Sequence, residues 1–162
     1  MRDPRLSQLL AIPRGGSEQS GPRWRAVEES LRLRLPQSYK AIIDEFGAST
    51  WAGFLHILSP FDEALSLHQV GERILEADRE SRASFPAHYP LPLYPEPGGL
   101  LPWATTDNGD TLYFITKGEP DDWPILLKDA RAPEFEVSFL PPALLVHHFV
   151  VGTLQSTILN PP

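Results

Sequence analysis

The sequence predicts an α+β fold with a central, mostly antiparallel sheet flanked by helices. Three observations lead there. The element order reads helices, strand, helix, several strands, helix. An Asn-Gly turn joins two strand-like runs as a hairpin. A closing segment is apolar on nearly every side, as a buried helix would be.

Taking the chain in order, residues 1–20 contain Gly15-Gly16-Ser17 and little periodicity. They read as a mostly flexible arm, with Leu6, Leu9 and Leu10 able to form a short helix or docking turn. From Gly21-Pro22 the apolar spacing Trp24, Val27, Leu31 is helical. Pro36 ends that helix and Gln37-Ser38 restart it. Tyr39, Ile42, Ile43 and Phe46 form the next stripe, and Gly47 stands where a left-handed C-cap is expected. Residues 51–58 carry aromatic and β-branched side chains and close on Ser59-Pro60, so they read as one strand bent at Gly53.

Residues 62–83 are charge-rich and helical, with Leu67, Val70, Ile74 and Ala77 as the expected buried stripe. Residues 85–99 hold Pro86, Pro90, Pro92, Pro95 and Pro97. Prolines this dense exclude a helix and a central strand, leaving an ordered loop or an extended edge. Strands are expected at 100–104 and 111–116, around the turn Asp107-Asn108-Gly109-Asp110. Leu112 and Phe114 alternate with Tyr113 and Ile115, so both faces of that strand are expected to be covered. Further strands are expected at 123–128 and 135–139. Pro141-Pro142 then start the terminal helix, where a missing N–H costs nothing. Together these give an arm at 1–20, a single domain at 21–157 and a short tail at 158–162.

Composition narrows the function. The chain has 162 residues, one domain's length. Its 18 prolines are about twice the usual ~5%. It has no cysteine, which excludes disulfides, thiolate metal sites and a cysteine nucleophile. Fourteen basic against 21 acidic residues give a net charge of −7, the wrong sign for a phosphate-backbone binder. No apolar run reaches the ~18 residues of a membrane span, and residues 1–20 lack the apolar core of a signal peptide. A cytoplasmic protein that meets neither nucleic acid nor membrane is expected.

Motifs for catalysis are weak. No pair among His56, His68, His88, His147 and His148 has zinc-protease spacing, and no glycine-flanked serine elbow occurs. His147 and His148 are adjacent, so on a helix they point about 100° apart and do not chelate one metal. The Asp107–Asp110 turn lacks the ladder and distal glutamate of a calcium loop. The glycine pairs lack a phosphate loop's lysine. No metal or other cofactor is expected. The one enzymatic alternative is a small-ligand site built from His56, Asp107 and Asp110.

Aromatics and acids suggest contact with a protein. Trp24 and Trp103 lie on inner faces and read as core. Trp51 follows a loop and reads as half-exposed, and Tyr89 and Tyr94 sit in the proline-dense segment. Such aromatics anchor interfaces. Glu96, Asp107, Asp110, Glu119, Asp121 and Asp122 are acidic loop positions. If one end of the sheet gathers them, they form a negative patch that steers a basic partner.

The ordered pattern resembles a known superfamily. It runs Trp24-x-x-Val27-Glu28-Glu29-x-Leu31, then Leu35-Pro36-x-x-Tyr39-Lys40-x-x-Ile43, then Phe46-Gly47. Phe54-Leu55-x-Ile57-Leu58-Ser59-Pro60 follows. After a helix come Leu100-Leu101-Pro102-Trp103-Ala104, Thr106-Asp107-Asn108-Gly109-Asp110, Leu112-Tyr113-Phe114 and Trp123-Pro124. Over roughly residues 22–156 this resembles the SUKH superfamily, which includes fungal cell-wall-synthesis regulators and many bacterial immunity proteins. The resemblance implies a non-enzymatic role and supplies no catalytic residue. Fungal-type regulators carry disordered extensions, so the bacterial branch is the expectation for this nearly all-domain chain. There such domains neutralise toxins by binding them; the alternative is a regulatory scaffold with no toxin partner.

Overall fold

The structure is a computed structural model that describes residues 3–13 and 21–159. In chain order its helices are α1 (Leu6–Leu10), α2 (Pro22–Leu31), α3 (Gln37–Phe46), α4 (Leu67–Ser84) and α5 (Pro142–Val151). Its strands are β1 (Ser49–Trp51), β2 (Leu55–Ile57), β3 (Leu100–Thr106), β4 (Thr111–Ile115), β5 (Ile125–Lys128) and β6 (Phe135–Ser138). All six pair antiparallel in sequence order, an open meander that establishes the α+β class.

Local chemistry accounts for most boundaries. Pro22 opens α2, where no intrahelical N–H is needed. Trp24, Val27 and Leu31 are its buried face. Arg32 ends it in a left-handed conformation, φ 56°. The link to α3 is held from inside: Glu28 Oε2 accepts from the Leu35 amide at 2.7 Å and from Lys40 Nζ at 3.2 Å. Tyr39, Ile42 and Ile43 are buried on α3, and Gly47 follows at φ 68°. Ser66 caps α4 by accepting from the Gln69 amide.

Alternation then sorts the sheet's two faces. Leu55, Ile57, Leu101, Trp103, Leu112, Phe114, Ile125 and Leu127 join the main core under α2, α3 and α5. Leu100, Tyr113 and Leu126 face the other way and pack with Leu75 of α4 and Leu93 of the proline-dense segment. Pro102 sits inside β3 because the register shifts between Pro102 and Ala104, and a bulge tolerates a residue without an N–H.

Four expectations need correction. Residues 51–58 are a hairpin, not one bent strand. Ala52 and Gly53 both take positive φ, 53° and 59°, and the Phe54 amide closes the turn on the Trp51 carbonyl. The buried face of α4 is Leu67, Gly71, Leu75 and Asp78, rotated from the expected stripe. Gly71 faces β3, where a Cβ would stand in ordinary contact, 3.9 Å, with the Pro102 carbonyl oxygen. The proline-dense segment contains one 3₁₀ turn, Pro86–His88, since a proline at its first position loses no hydrogen bond. Within the arm, Leu6, Leu9 and Leu10 form the expected short helix, α1, which docks on α5 with Leu6 and Leu9 buried. Residues 14–20 of that arm lie outside the described residues. In the segment read as a tail, Ile158 and Leu159 belong to the main core.

Candidate partner-binding surface

A meander sorts its connections to two ends. Along β3 and β4, Thr105 pairs with Thr111 at one end and Leu100 with Ile115 at the other. The turns after β1, β3 and β5 gather at the first end. The segments before β3, between β4 and β5, and after β6 gather at the second. The acidic positions therefore divide. Asp107 and Asp110 sit at the first end, whereas Glu96, Glu119, Asp121 and Asp122 sit at the second.

At the first end Asp110 is buried and cannot meet a partner. Its carboxylate accepts from Thr106 Oγ1 at 2.8 Å and from the Ala130 amide at 3.0 Å, satisfying donors of two turns. Asp107 is exposed, with its Oδ1 2.6 Å from His56 Nε2. The other ring nitrogen of His56 lies 2.8 Å from Thr50 Oγ1. Hydroxyl, imidazole and carboxylate thus form one hydrogen-bonded row. Thr50 and Asp107 are both exposed, and the row ties the β1–β2 hairpin to the β3–β4 hairpin.

Trp51, expected at the surface, is 0% exposed. Pairing with Leu55 turns it to the core face. There its Nε1 donates to Ser49 Oγ at 2.9 Å, Phe46 meets it edge-on at 5.1 Å, and the Arg5 guanidinium lies 3.8 Å over its ring. Tyr89 is half-buried and donates to Asp78 Oδ1 at 3.2 Å. Trp51 is thus closed off from a partner, while Tyr89 holds the proline-dense segment to α4.

The second end is different, because three segments meet there. Tyr94 donates its hydroxyl to the Leu31 carbonyl at 2.6 Å, which locks the proline-dense segment to the end of α2. Thr116 donates both its amide and its hydroxyl to the Gly99 carbonyl. Asp121 Oδ1 accepts from the Gln37 amide at 2.8 Å, capping the first turn of α3. Between α2 and the Tyr94–Gly98 stretch lies a cleft of about 520 Å³, walled by Leu31, Arg32, Tyr94, Glu96 and Pro97.

Glu96 is exposed and accepts from Arg82 Nη1 at 2.6 Å and from the Leu93 amide at 2.8 Å. The Arg82 hydrogen bond holds its carboxyl below the usual glutamate range. Glu119 and Asp122 are exposed beside Asp121, in a turn anchored by Trp123, whose Nε1 donates to the Gly118 carbonyl. Of the nine expected residues, Tyr94 and Glu96 line this cleft, while Glu119, Asp121 and Asp122 lie on the neighbouring turn between β4 and β5 at the same end of the sheet. Glu119, Asp121 and Asp122 are exposed, whereas Glu96 is paired with Arg82 and Tyr94 is half-buried.

One feature escaped the sequence reading. Phe135, Val137 and Phe139 on β6 and just beyond it are 43%, 42% and 74% exposed. Their spacing of two was legible, but it reads equally as the buried face of a strand.

Among the described residues, no cluster of three or more His, Cys, Asp or Glu could hold a metal ion. Also among them, no helix is long and apolar enough to cross a membrane. The α+β meander with its helical cover is the fold expected for a SUKH domain, and a match to a family model makes the chain one. More particularly, the chain belongs to the family whose model, SUKH_6, is described as SMI1-KNR4 cell-wall; that model matches residues 22–138, from the start of α2 to the end of β6. No curated protein and no solved structure matches the chain.

Proposed function

We propose that this chain is a non-enzymatic protein-binding domain, and specifically a bacterial immunity protein that acts in the cytoplasm. It would neutralise a toxin by covering a basic face of it. The observation that carries this reading is the second end of the sheet. There Glu96 borders a cleft walled by Tyr94, and Glu119, Asp121 and Asp122 lie on the turn between β4 and β5 at the same end. Acidic residues on well-anchored loops steer a basic partner into encounter, and a pre-positioned tyrosine supplies apolar contact at low entropic cost. Membership of a generally non-enzymatic family supports the same reading, as does the net charge of −7.

The test is a pull-down from the native host with the tagged chain as bait, at low and at high salt. One basic, toxin-like protein retained in near-stoichiometric amount and weakened by salt is the expected result. Co-expression must then rescue cells from that protein. Retention of several housekeeping proteins instead would replace this reading by a regulatory scaffold.

A further inference from the structure

Helical cover of the main-core face thins out at β6. α5 ends at Val151, and Gly152 turns the chain back in a left-handed conformation, φ 80°. The returning segment meets β6 at Glu136. That carboxylate accepts from Ser156 Oγ at 2.6 Å and from the amide and hydroxyl of Thr157 at 2.8 and 2.7 Å. Between the helix end, the returning segment and the strand lies a pocket of about 450 Å³. Leu127, Leu140 and Leu154 line it, and all three pack in or against the main core. Small-ligand sites occupy roughly 300–1,000 Å³ and combine such an apolar lining with a few placed polar groups.

Electrostatics decide what kind of ligand fits. Among the described residues of the wall, Glu136 is the one acid, and none is a lysine or arginine. Lys128 of β5 carries its ammonium to the Tyr89 ring, 5.0 Å away on the opposite face of the sheet. No ion pair among the described residues includes Glu136. Its hydrogen bonds come from neutral donors, which hold the carboxylate in place without cancelling its charge. Burial pushes this carboxyl up, but the bonds from Ser156 and Thr157 outweigh it and hold the group below the ordinary glutamate value. The other titratable group on the wall is His148, whose Nδ1 lies 2.6 Å from Thr153 Oγ1. It stands in the last turn of α5, where the helix dipole is negative. A half-buried carboxylate without a counter-charge, beside an apolar lining, is complemented by a cation on an apolar stem.

We propose that this pocket binds an organic cation: a primary ammonium or guanidinium group on a short alkyl chain. The charged group meets Glu136, and the chain packs on Leu127, Leu140 and Leu154. A free amine and the lysine or arginine side chain of a partner share this chemistry. The inference rests on the pocket and not on the immunity reading.

The purified chain can be titrated with n-pentylammonium, n-pentanol and n-pentanoate, three probes of one chain length and different charge. Calorimetry gives affinity, and amide chemical shifts give location. The ammonium should bind with shifts centred on Glu136, Leu140, His148 and Leu154. It should bind about tenfold more tightly than the alcohol, the size of one charge-assisted hydrogen bond. Pentanoate should not bind. Glu136→Gln should remove the tenfold preference. Because that change also touches the anchor of the returning segment, a second variant leaves Glu136 intact. Gln155→Lys, at an exposed position of the wall, supplies a tethered ammonium and should block the probe with unchanged thermal unfolding. No binding, equal binding of ammonium and alcohol, shifts elsewhere, or unchanged affinity in either variant overturns the proposal. The source is separated by the host pull-down. A partner lost from Gln155→Lys and competed off by n-pentylammonium places a side chain in the pocket; a partner retained through both leaves the site to a free amine. A host without a basic partner overturns the immunity reading alone, and a partner with no ammonium bound overturns the pocket alone.

Discussion

Tyr113 of β4 donates its hydroxyl to the buried carboxylate of Asp78 on α4 at 2.6 Å. Tyr89 donates to the other oxygen at 3.2 Å. One helical aspartate thus fastens α4 and the proline-dense segment to the centre of the sheet.

Asp78 should give stability a specific pH dependence. Burial raises its carboxyl above the ordinary value of 3.8, against the opposing effect of the Tyr113 hydrogen bond and of Lys128. A carboxyl raised by folding is stabilising when protonated. That contribution is full below 3.8 and is lost as pH rises through the folded value. Asp78→Asn removes the titration. In urea unfolding the wild type should lose stability relative to Asp78→Asn between pH 4 and pH 7. A difference that stays constant over that range would refute the assignment. Asp78→Ala leaves two phenols without their acceptor and should cost about 1–3 kcal/mol for each hydroxyl that stays buried and unpaired.

Trp24 is buried where α2 meets α3. Its Nε1 donates to Asp44 Oδ1 at 2.8 Å, and its ring meets Tyr39 and Phe61 edge-on at 6.1 and 5.0 Å. Trp24→Ala should cost about 3–5 kcal/mol by chemical denaturation. A loss well below 1 kcal/mol would mean that the ring adds little to the core.

Gly99 is held where no side chain fits. A Cβ there would lie 2.5 Å from the Leu93 carbonyl carbon and from the Tyr94 nitrogen, and 2.7 Å from the Glu96 carbonyl oxygen. These are backbone atoms of the cleft wall. Gly99→Ala should cost about 1–3 kcal/mol or more, since the wall must move. Amide chemical shifts should move from Leu93 to Glu96. Unchanged shifts there with unchanged stability would contradict the contact.

The paired substitution Asp121→Asn with Asp122→Asn tests steering. The asparagine carbonyl at 121 still accepts from Gln37, so the cap survives while the charge goes. Association with the partner should slow and its salt dependence flatten, with dissociation little changed. Stopped-flow rates at two salt concentrations that match the wild type would remove these carboxylates from the encounter surface.

Legibility in the sequence followed the range of the interaction. Gly47 and Asn108-Gly109 act on their own dihedrals, so the end of α3 and the β3–β4 hairpin could be placed from residue type; the end of α2 could not, since Arg32 in a left-handed conformation stops it before the expected Pro36. The alternation of Leu112 and Phe114 with Tyr113 and Ile115 likewise foretold that both faces of β4 are covered. The face of α4 differs from the expected stripe because it includes Asp78, a residue type that is seldom buried without a partner. Its partners Tyr89 and Tyr113 are 11 and 35 residues away, and no local pattern encodes them. Trp51 went wrong for a related reason: an Ala52-Gly53 turn reverses the chain after it, and β1 then inherits its inward face from β2.

The sequence by itself determined the α+β class, the SUKH pattern, the order of most elements and an acidic, cysteine-free chain, because these rest on composition and on spacings of two to four residues. Only the tertiary structure decided which acids share a surface. Antiparallel strands send successive turns to opposite ends of the sheet, so Asp107 parts from Asp121 although they are neighbours in sequence. Tertiary structure likewise decided that Asp110 turns inward and that the Phe135, Val137, Phe139 row stays open. Whether an apolar row is buried depends on what packs over it, and α4 reaches Leu126 but not the last strand.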